Sequence, residues 1–116
     1  MERFKKHIFV CTNERPAGHQ RGCCHDHGGT EIRLNFAEGL AKRGLKSEVM
    51  ANKSGCLDAC ELGPAVAIYP AGLWYIGVSP DDVDEIIETS IVGDGVVERL
   101  AAREADWLRL QSLRKK

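Results

Sequence analysis

Five cysteines, Cys11, Cys23, Cys24, Cys56 and Cys60, are the residues of this 116-residue chain whose type and spacing can do chemistry. Cys56 and Cys60 stand in the stretch SGCLDACELGP, on what should be a short helical turn with Gly55 before it and Gly63-Pro64 closing it. A spacing of four puts two sulfurs on one face. Two thiolates alone cannot complete a tetrahedral metal site, and a four-thiolate reading adds Cys11 and one of Cys23 or Cys24. Two thiolate pairs can each grip one iron of a 2Fe-2S cluster. Four thiolates would equally satisfy a structural zinc ion, and reduced thiols with no metal are the third reading.

The elements that must position these residues follow from apolar patterning. HIFVC, from His7 to Cys11, reads as a buried strand ending in a cysteine. A long polar segment from Thr12 to Gly29 carries Cys23 and Cys24, and connections of that length are commonly functional. Thr30 is suited to cap a helix over about Glu31 to Arg43, with Ile32, Leu34, Phe36, Ala37, Leu40 and Ala41 supplying apolar positions and Gly44 the stop. Lys46 to Ala51 is expected to be a second strand, leading through Ser54-Gly55 into the cysteine turn.

Ala65 to Tyr69 and Leu73 to Val78 read as a hairpin around Ala71-Gly72. Ser79-Pro80-Asp81-Asp82 then opens a helix whose apolar face holds Val83, Ile86, Ile87 and one of Ser90 or Ile91, ended by the Gly93 to Gly95 break. The order β-α-β followed by β-β-α predicts an α/β layer fold of the thioredoxin-like kind, a small mixed β-sheet covered by helices. One domain over residues 1–100 is expected, with 101–116 a charged helical extension.

Composition bounds the function. With 43% hydrophobic residues the chain can bury a core without disulfide staples. A formal net charge of −1 gives no basic surface for nucleic acid or anionic lipid. The N-terminal MERFKKHIFVC lacks the apolar centre and cleavage site of a signal peptide, and Ala65 to Val78 is too short and broken to span a bilayer, so a cytoplasmic protein is expected. In a reducing compartment five cysteines suit metal binding or catalysis better than disulfides, and their odd number fits the same reading. The plant-type spacing C-x4-C-x2-C is absent, and no C-x-x-C follows Cys11 as a thiol redox catalyst would require.

Three segments, FVCTNERPAGHQRGCC, SGCLDACELGPAVAIYPAGLWYIGV and SPDDVDEII, closely resemble the thioredoxin-like 2Fe-2S ferredoxins, small homodimeric electron carriers. The likeness runs from about Lys6 to Leu100. It rests on the order of cysteines, the RPAGH loop, the Gly-Pro after the last cysteine and the YPAGLWY hairpin. It implies one 2Fe-2S cluster per chain, held by Cys11, Cys24, Cys56 and Cys60.

Cys24 is selected because the family's second ligand follows a glycine and one small residue. Cys23 fills the small-residue position and is a possible substitute. The related cluster-binding subunits of respiratory complex I carry an additional N-terminal helical region, so the resemblance implies a free-standing carrier. It further implies no catalysed reaction, redox enzymes as electron donor and acceptor, and a homodimer whose contact includes the hairpin bearing Trp74 and Tyr75. Gly18, Gly22 and Gly55 are suited to close backbone approach to sulfur or are ordinary turn glycines, and Arg15, His19 and Arg21 read first as solvated loop charges, with thiolate tuning or partner docking the functional reading. A structural zinc-binding interaction module is the alternative.

Overall fold

The computed structural model describes residues 4–11, 29–54 and 64–114. Its elements are β1 (Lys6–Cys11), α1 (Gly29–Lys42), β2 (Val49–Ser54), β3 (Val66–Tyr69) and β4 (Leu73–Tyr75), followed by a 3-10 turn (Pro80–Asp82), α2 (Val83–Ile86), a π-helical turn (Ile87–Val92) and α3 (Glu104–Arg114). The four strands form one mixed sheet in the order β2-β1-β3-β4. β1 runs parallel to β2, while β3 is antiparallel to both β1 and β4. The predicted layer fold is present.

Strand alternation sorts the sheet into two faces. Ile8, Val10, Val49, Ala51, Val66, Ile68 and Tyr75 form one buried face and share a core with Ile32, Phe36 and Leu40 of α1 and Val83, Ile86, Ile87 and Ile91 of the later helical segment. Full burial of side chains of this size contributes about 1.5–3 kcal/mol each, so this layer dominates the stability. Ile32, Phe36 and Leu40 recur every four residues on α1, whereas Leu34 falls off that stripe and is exposed. Gly39 lies on the same packed side: a Cβ there would come within 2.6 Å of Ile87 Cδ1, so a side chain at position 39 would require the tip of Ile87 to shift.

Three boundaries differ from expectation, each for a local reason. α1 starts at Gly29, so Thr30 lies inside its first turn rather than ahead of it. The helix ends as predicted at Gly44, whose φ is +68°. There the Leu45 N–H donates to Leu40 O (2.9 Å) and the Gly44 N–H to Ala41 O (3.2 Å), a Schellman closure. That closure continues into a turn in which the Glu48 and Val49 N–H groups both donate to Leu45 O, and β2 therefore begins at Val49, three residues later than predicted. It then runs through polar Asn52, Lys53 and Ser54, because pairing with Phe9, Val10 and Cys11 sustains it.

The third difference is in the hairpin. Gly72 provides the predicted turn at φ +72°, beside a cis Tyr69-Pro70 bond. β4 stops at Tyr75 rather than Val78, because Gly77 turns the chain at φ +61° and the Val78 N–H donates to Pro64 O at 3.2 Å.

Ser79 caps the next helical segment as expected. Its N–H and hydroxyl both donate to Asp82 Oδ2 (2.8 and 3.1 Å), while the Asp82 N–H donates to Ser79 O. Burial raises the Asp82 pKa, but the Ser79 N–H and the Arg99 guanidinium outweigh it and hold the carboxyl below its ordinary range. Val83, Ile86, Ile87, Ser90 and Ile91 are all buried, so Ser90 and Ile91 both face inward. The π-helical widening accommodates both. Ser90 Oγ hydrogen-bonds the buried Tyr75 hydroxyl, which also accepts from the Val97 N–H at 2.9 Å. Lys6 Nζ donates to Ser90 O (3.0 Å) and Ile91 O (2.8 Å) and pairs with Asp94, placing a cation at the carbonyl end of the segment.

Leu100 to Ala102 lie along the outer edge of β4. The Ile76 N–H donates to Leu100 O (3.0 Å), the Ala102 N–H donates to Trp74 O (2.8 Å), and Tyr75 and Ala101 form an antiparallel bridge. From there α3 brings Trp107 edge-on against Trp74, with ring centroids 5.7 Å apart. Among the described residues no helix is long and apolar enough to cross a membrane.

Candidate metal centre

The parallel β1–β2 pair decides where the cysteine-bearing segments are anchored. Cys11, the last residue of β1, is fully buried and lies directly beside Ser54, the last residue of β2. On its other side the Cys11 N–H donates to Ala65 O at 3.1 Å. The segment of residues 55–63 therefore leaves the sheet at Ser54 and returns at Pro64-Ala65, and Cys11 stands between its two ends. Cys56 follows Ser54 by two residues, and Cys60 precedes Pro64 by four.

The other predicted ligand segment is bracketed in the same way. Residues 12–28 leave from Cys11 and rejoin the fold at Gly29, the buried first residue of α1. Because β1, α1 and β2 form a parallel crossover, α1 starts at the end of the sheet where β1 finishes. Both cysteine-bearing segments are thus tethered to one end of the molecule, the carboxyl end of β1 and β2.

Of the predicted ligands, Cys11 is described. Cys24, its neighbour Cys23, Cys56 and Cys60 lie outside the described residues, as do Gly18, Gly22, Gly55, Arg15, His19 and Arg21. Among the described residues no other cluster of histidine, cysteine or acidic side chains is arranged to hold a metal ion. The groove between α1 and the 3-10 turn, about 280 Å³, is lined by Asn35, Glu38, Lys42, Asp81 and Asp84 with no thiol or imidazole. A buried thiol flanked by both anchors of a second cysteine pair is the donor chemistry an iron–sulfur cluster requires: soft anionic ligands withdrawn from water.

Sequence patterning did not isolate Trp107, which touches the hairpin, or Gly39, which lies against the side chain of Ile87. Trp107 sits in a charged stretch with little amphipathic contrast, and an isolated glycine in a helix carries no mark of the neighbour it admits.

No family model matches the chain. A 2Fe-2S ferredoxin of Clostridium pasteurianum is 49% identical over 96 residues, covering 83% of this chain and 94% of that protein. One from Aquifex aeolicus is 43% identical over 96 residues, covering 82% and 86%. Among solved structures, a thioredoxin-like [2Fe-2S] ferredoxin from Aquifex aeolicus superposes with a TM-score of 0.83 at 40% identity, covering 87% of this chain and 99% of its own. Two further structures, both with a TM-score of 0.82, are of cysteine-to-serine variants of that ferredoxin at positions four apart in its chain. Zinc finds no support in these likenesses. With identity of this level over more than four-fifths of its length and a fold that superposes closely on a solved member, the chain belongs to the thioredoxin-like [2Fe-2S] ferredoxins.

Proposed function

We propose that this protein carries single electrons between redox enzymes, catalysing no reaction itself, on one 2Fe-2S cluster held by Cys11, Cys24, Cys56 and Cys60. The observation that carries the ligand assignment is the position of Cys11 between Ser54 and Ala65. The variant pair in the Aquifex relative, four positions apart like Cys56 and Cys60, supports the second half of the set. When bound, such a cluster supplies a one-electron couple. The chain's own contribution is to anchor Cys11 on a buried strand end, where ligand motion is small and water is excluded, and to present the loop-borne thiolates from the same end of the sheet. Cys23, adjacent to Cys24, is the substitute ligand.

Residues 1–100 form the ferredoxin domain in this reading, and 101–116 a helical extension. The protein is cytoplasmic and acts as a homodimer. Dimerisation is supported by the half-exposed aromatic side chains of the sheet, since aromatics are enriched at the centres of protein interfaces.

Anaerobic purification tests the reading. The protein is expected to be reddish brown, to bleach with dithionite, and to hold about two irons and two acid-labile sulfides per chain. Colourless protein containing zinc would overturn it. For the ligand choice, Cys24→Ala is expected to lose the cluster and Cys23→Ala to keep it. Loss in Cys23→Ala with retention in Cys24→Ala would exchange the two assignments.

A further inference from the structure

α1 carries an arginine whose surroundings differ from those of Arg43 and Arg99. Arg43 meets Asp84 (3.4 Å) and Glu88 (2.7 Å), and Arg99 meets Asp82 (2.7 Å) and Glu85. Arg33 is half-buried, and its Nε is a buried donor with no hydrogen-bond acceptor among the described residues. A buried donor in that state is destabilising, and a guanidinium cannot relieve it by giving up its proton. Such a group calls for an anionic partner.

Its place in the fold says where that partner lies. Arg33 stands one turn beyond Gly29, the buried first residue of α1, at which the segment of residues 12–28 rejoins the fold. Helical side chains lean toward the helix N-terminus, and that end of α1 is the end of the sheet where Cys11 is buried. Around the helix, Arg33 falls on one flank of the Ile32, Phe36 and Leu40 stripe. The other flank carries Asn35, whose Nδ2 donates to Pro80 O at 3.4 Å, and Gly39, beside Ile87. Arg33 is therefore on the side of α1 away from the acidic residues that Arg43 engages.

Resting on the cluster reading above, we propose that Arg33 is the counter-charge to the 2Fe-2S cluster, a positioning residue that favours the reduced state. Four thiolates and two sulfides leave the oxidised cluster anionic, and the electron it accepts makes it more so by one charge. A fixed cation at this end of the fold attracts the reduced form more strongly than the oxidised one, and low-dielectric surroundings strengthen the effect. Arg33 thus raises the reduction potential without ligating iron. No bond is made or broken and no proton moves in the step.

Potentiometric titration of the full-length, cluster-loaded protein, followed by its visible absorption, tests this. In Arg33→Gln the ratio of reduced to oxidised cluster at a fixed potential is expected to fall about tenfold, which is about 59 mV for a one-electron couple. In Arg33→Lys, which keeps the charge, the ratio should stay within about threefold of wild type. A fully loaded Arg33→Gln whose ratio falls less than about threefold would overturn the proposal. So would a shift in Arg33→Lys as large as that in Arg33→Gln, since packing and not charge would then be responsible. If Arg33→Gln holds no cluster, Arg33→Lys decides: a ratio near wild type supports the counter-charge, and loss of the cluster there as well overturns it. Wild-type protein without iron would instead remove the cluster reading itself.

Discussion

The two ends of the sheet solve opposite problems. At the end where β1 begins, polar groups are closed within the chain: Lys6 meets two helix carbonyls and Asp94. At the end where β1 finishes, a buried thiol stands between the anchors of a cysteine-bearing segment. The first end is closed by internal polar contacts, and the second holds Cys11, the one proposed cluster ligand among the described residues. Substitutions at the two ends should therefore separate into effects on unfolding and effects on iron content, and several experiments test that separation.

The largest expected effect is at the cofactor end. Cys11→Ala should abolish stable cluster binding, read as loss of iron and of visible absorption, with the far-UV circular dichroism of the chain retained. Unfolding of that variant at room temperature would mean that the two ends are not separable. In the core between them, Phe36→Ala should cost about 3–5 kcal/mol in denaturant unfolding while the unfolded-to-folded signal stays two-state.

In the same core, Tyr75→Phe should cost about 1–3 kcal/mol, because it strands Ser90 Oγ and the Val97 N–H in a buried setting. Iron content should be unchanged; a loss of iron would tie this network to the cofactor site. Trp107→Ala should cost about 0.5–1.5 kcal/mol through its contact with Trp74.

The smallest effect is pH-dependent. Asp82 has its pKa lowered in the folded protein, so its stabilising contribution is present above the ordinary carboxylate range and is lost as pH falls through the lowered folded value. Asp82→Asn should accordingly flatten the acid limb of the stability profile and leave the neutral-to-alkaline limb parallel to wild type. An unaltered acid limb would show that the Ser79 and Arg99 contacts do not act through ionisation.

Much of this was legible in the sequence because the signals were local. HIFVC marked a buried strand, Gly44 a helix stop, and Ser79-Pro80-Asp81-Asp82 a capped helix start, each fixed by a few neighbouring residues. The errors came where distant partners decide. β2 extends over Asn52, Lys53 and Ser54 only because β1 lies alongside, and no propensity in those three residues announces a strand. The hairpin's second strand ends at Tyr75 because Val78 turns back to Pro64, an interaction across fourteen residues.

The π-helical turn, likewise, exists where both Ser90 and Ile91 must face inward. For the metal centre, residue types and spacing reached a four-thiolate site but left iron and zinc open. The family likeness was needed to choose between them, because both accept the same tetrahedral thiolate geometry.

The bracketing of residues 55–63 between Ser54 and Pro64, with Cys11 in the middle, bears on the order of biogenesis. Both tethers belong to a sheet whose helical face packs by aliphatic contact, so the polypeptide is expected to fold before any iron arrives. That is unlike small metal-nucleated domains, which have no fold until the ion binds. Cofactor loading is then a late, local event at one end of a finished scaffold, and a cell could keep a reserve of folded apoprotein awaiting delivery.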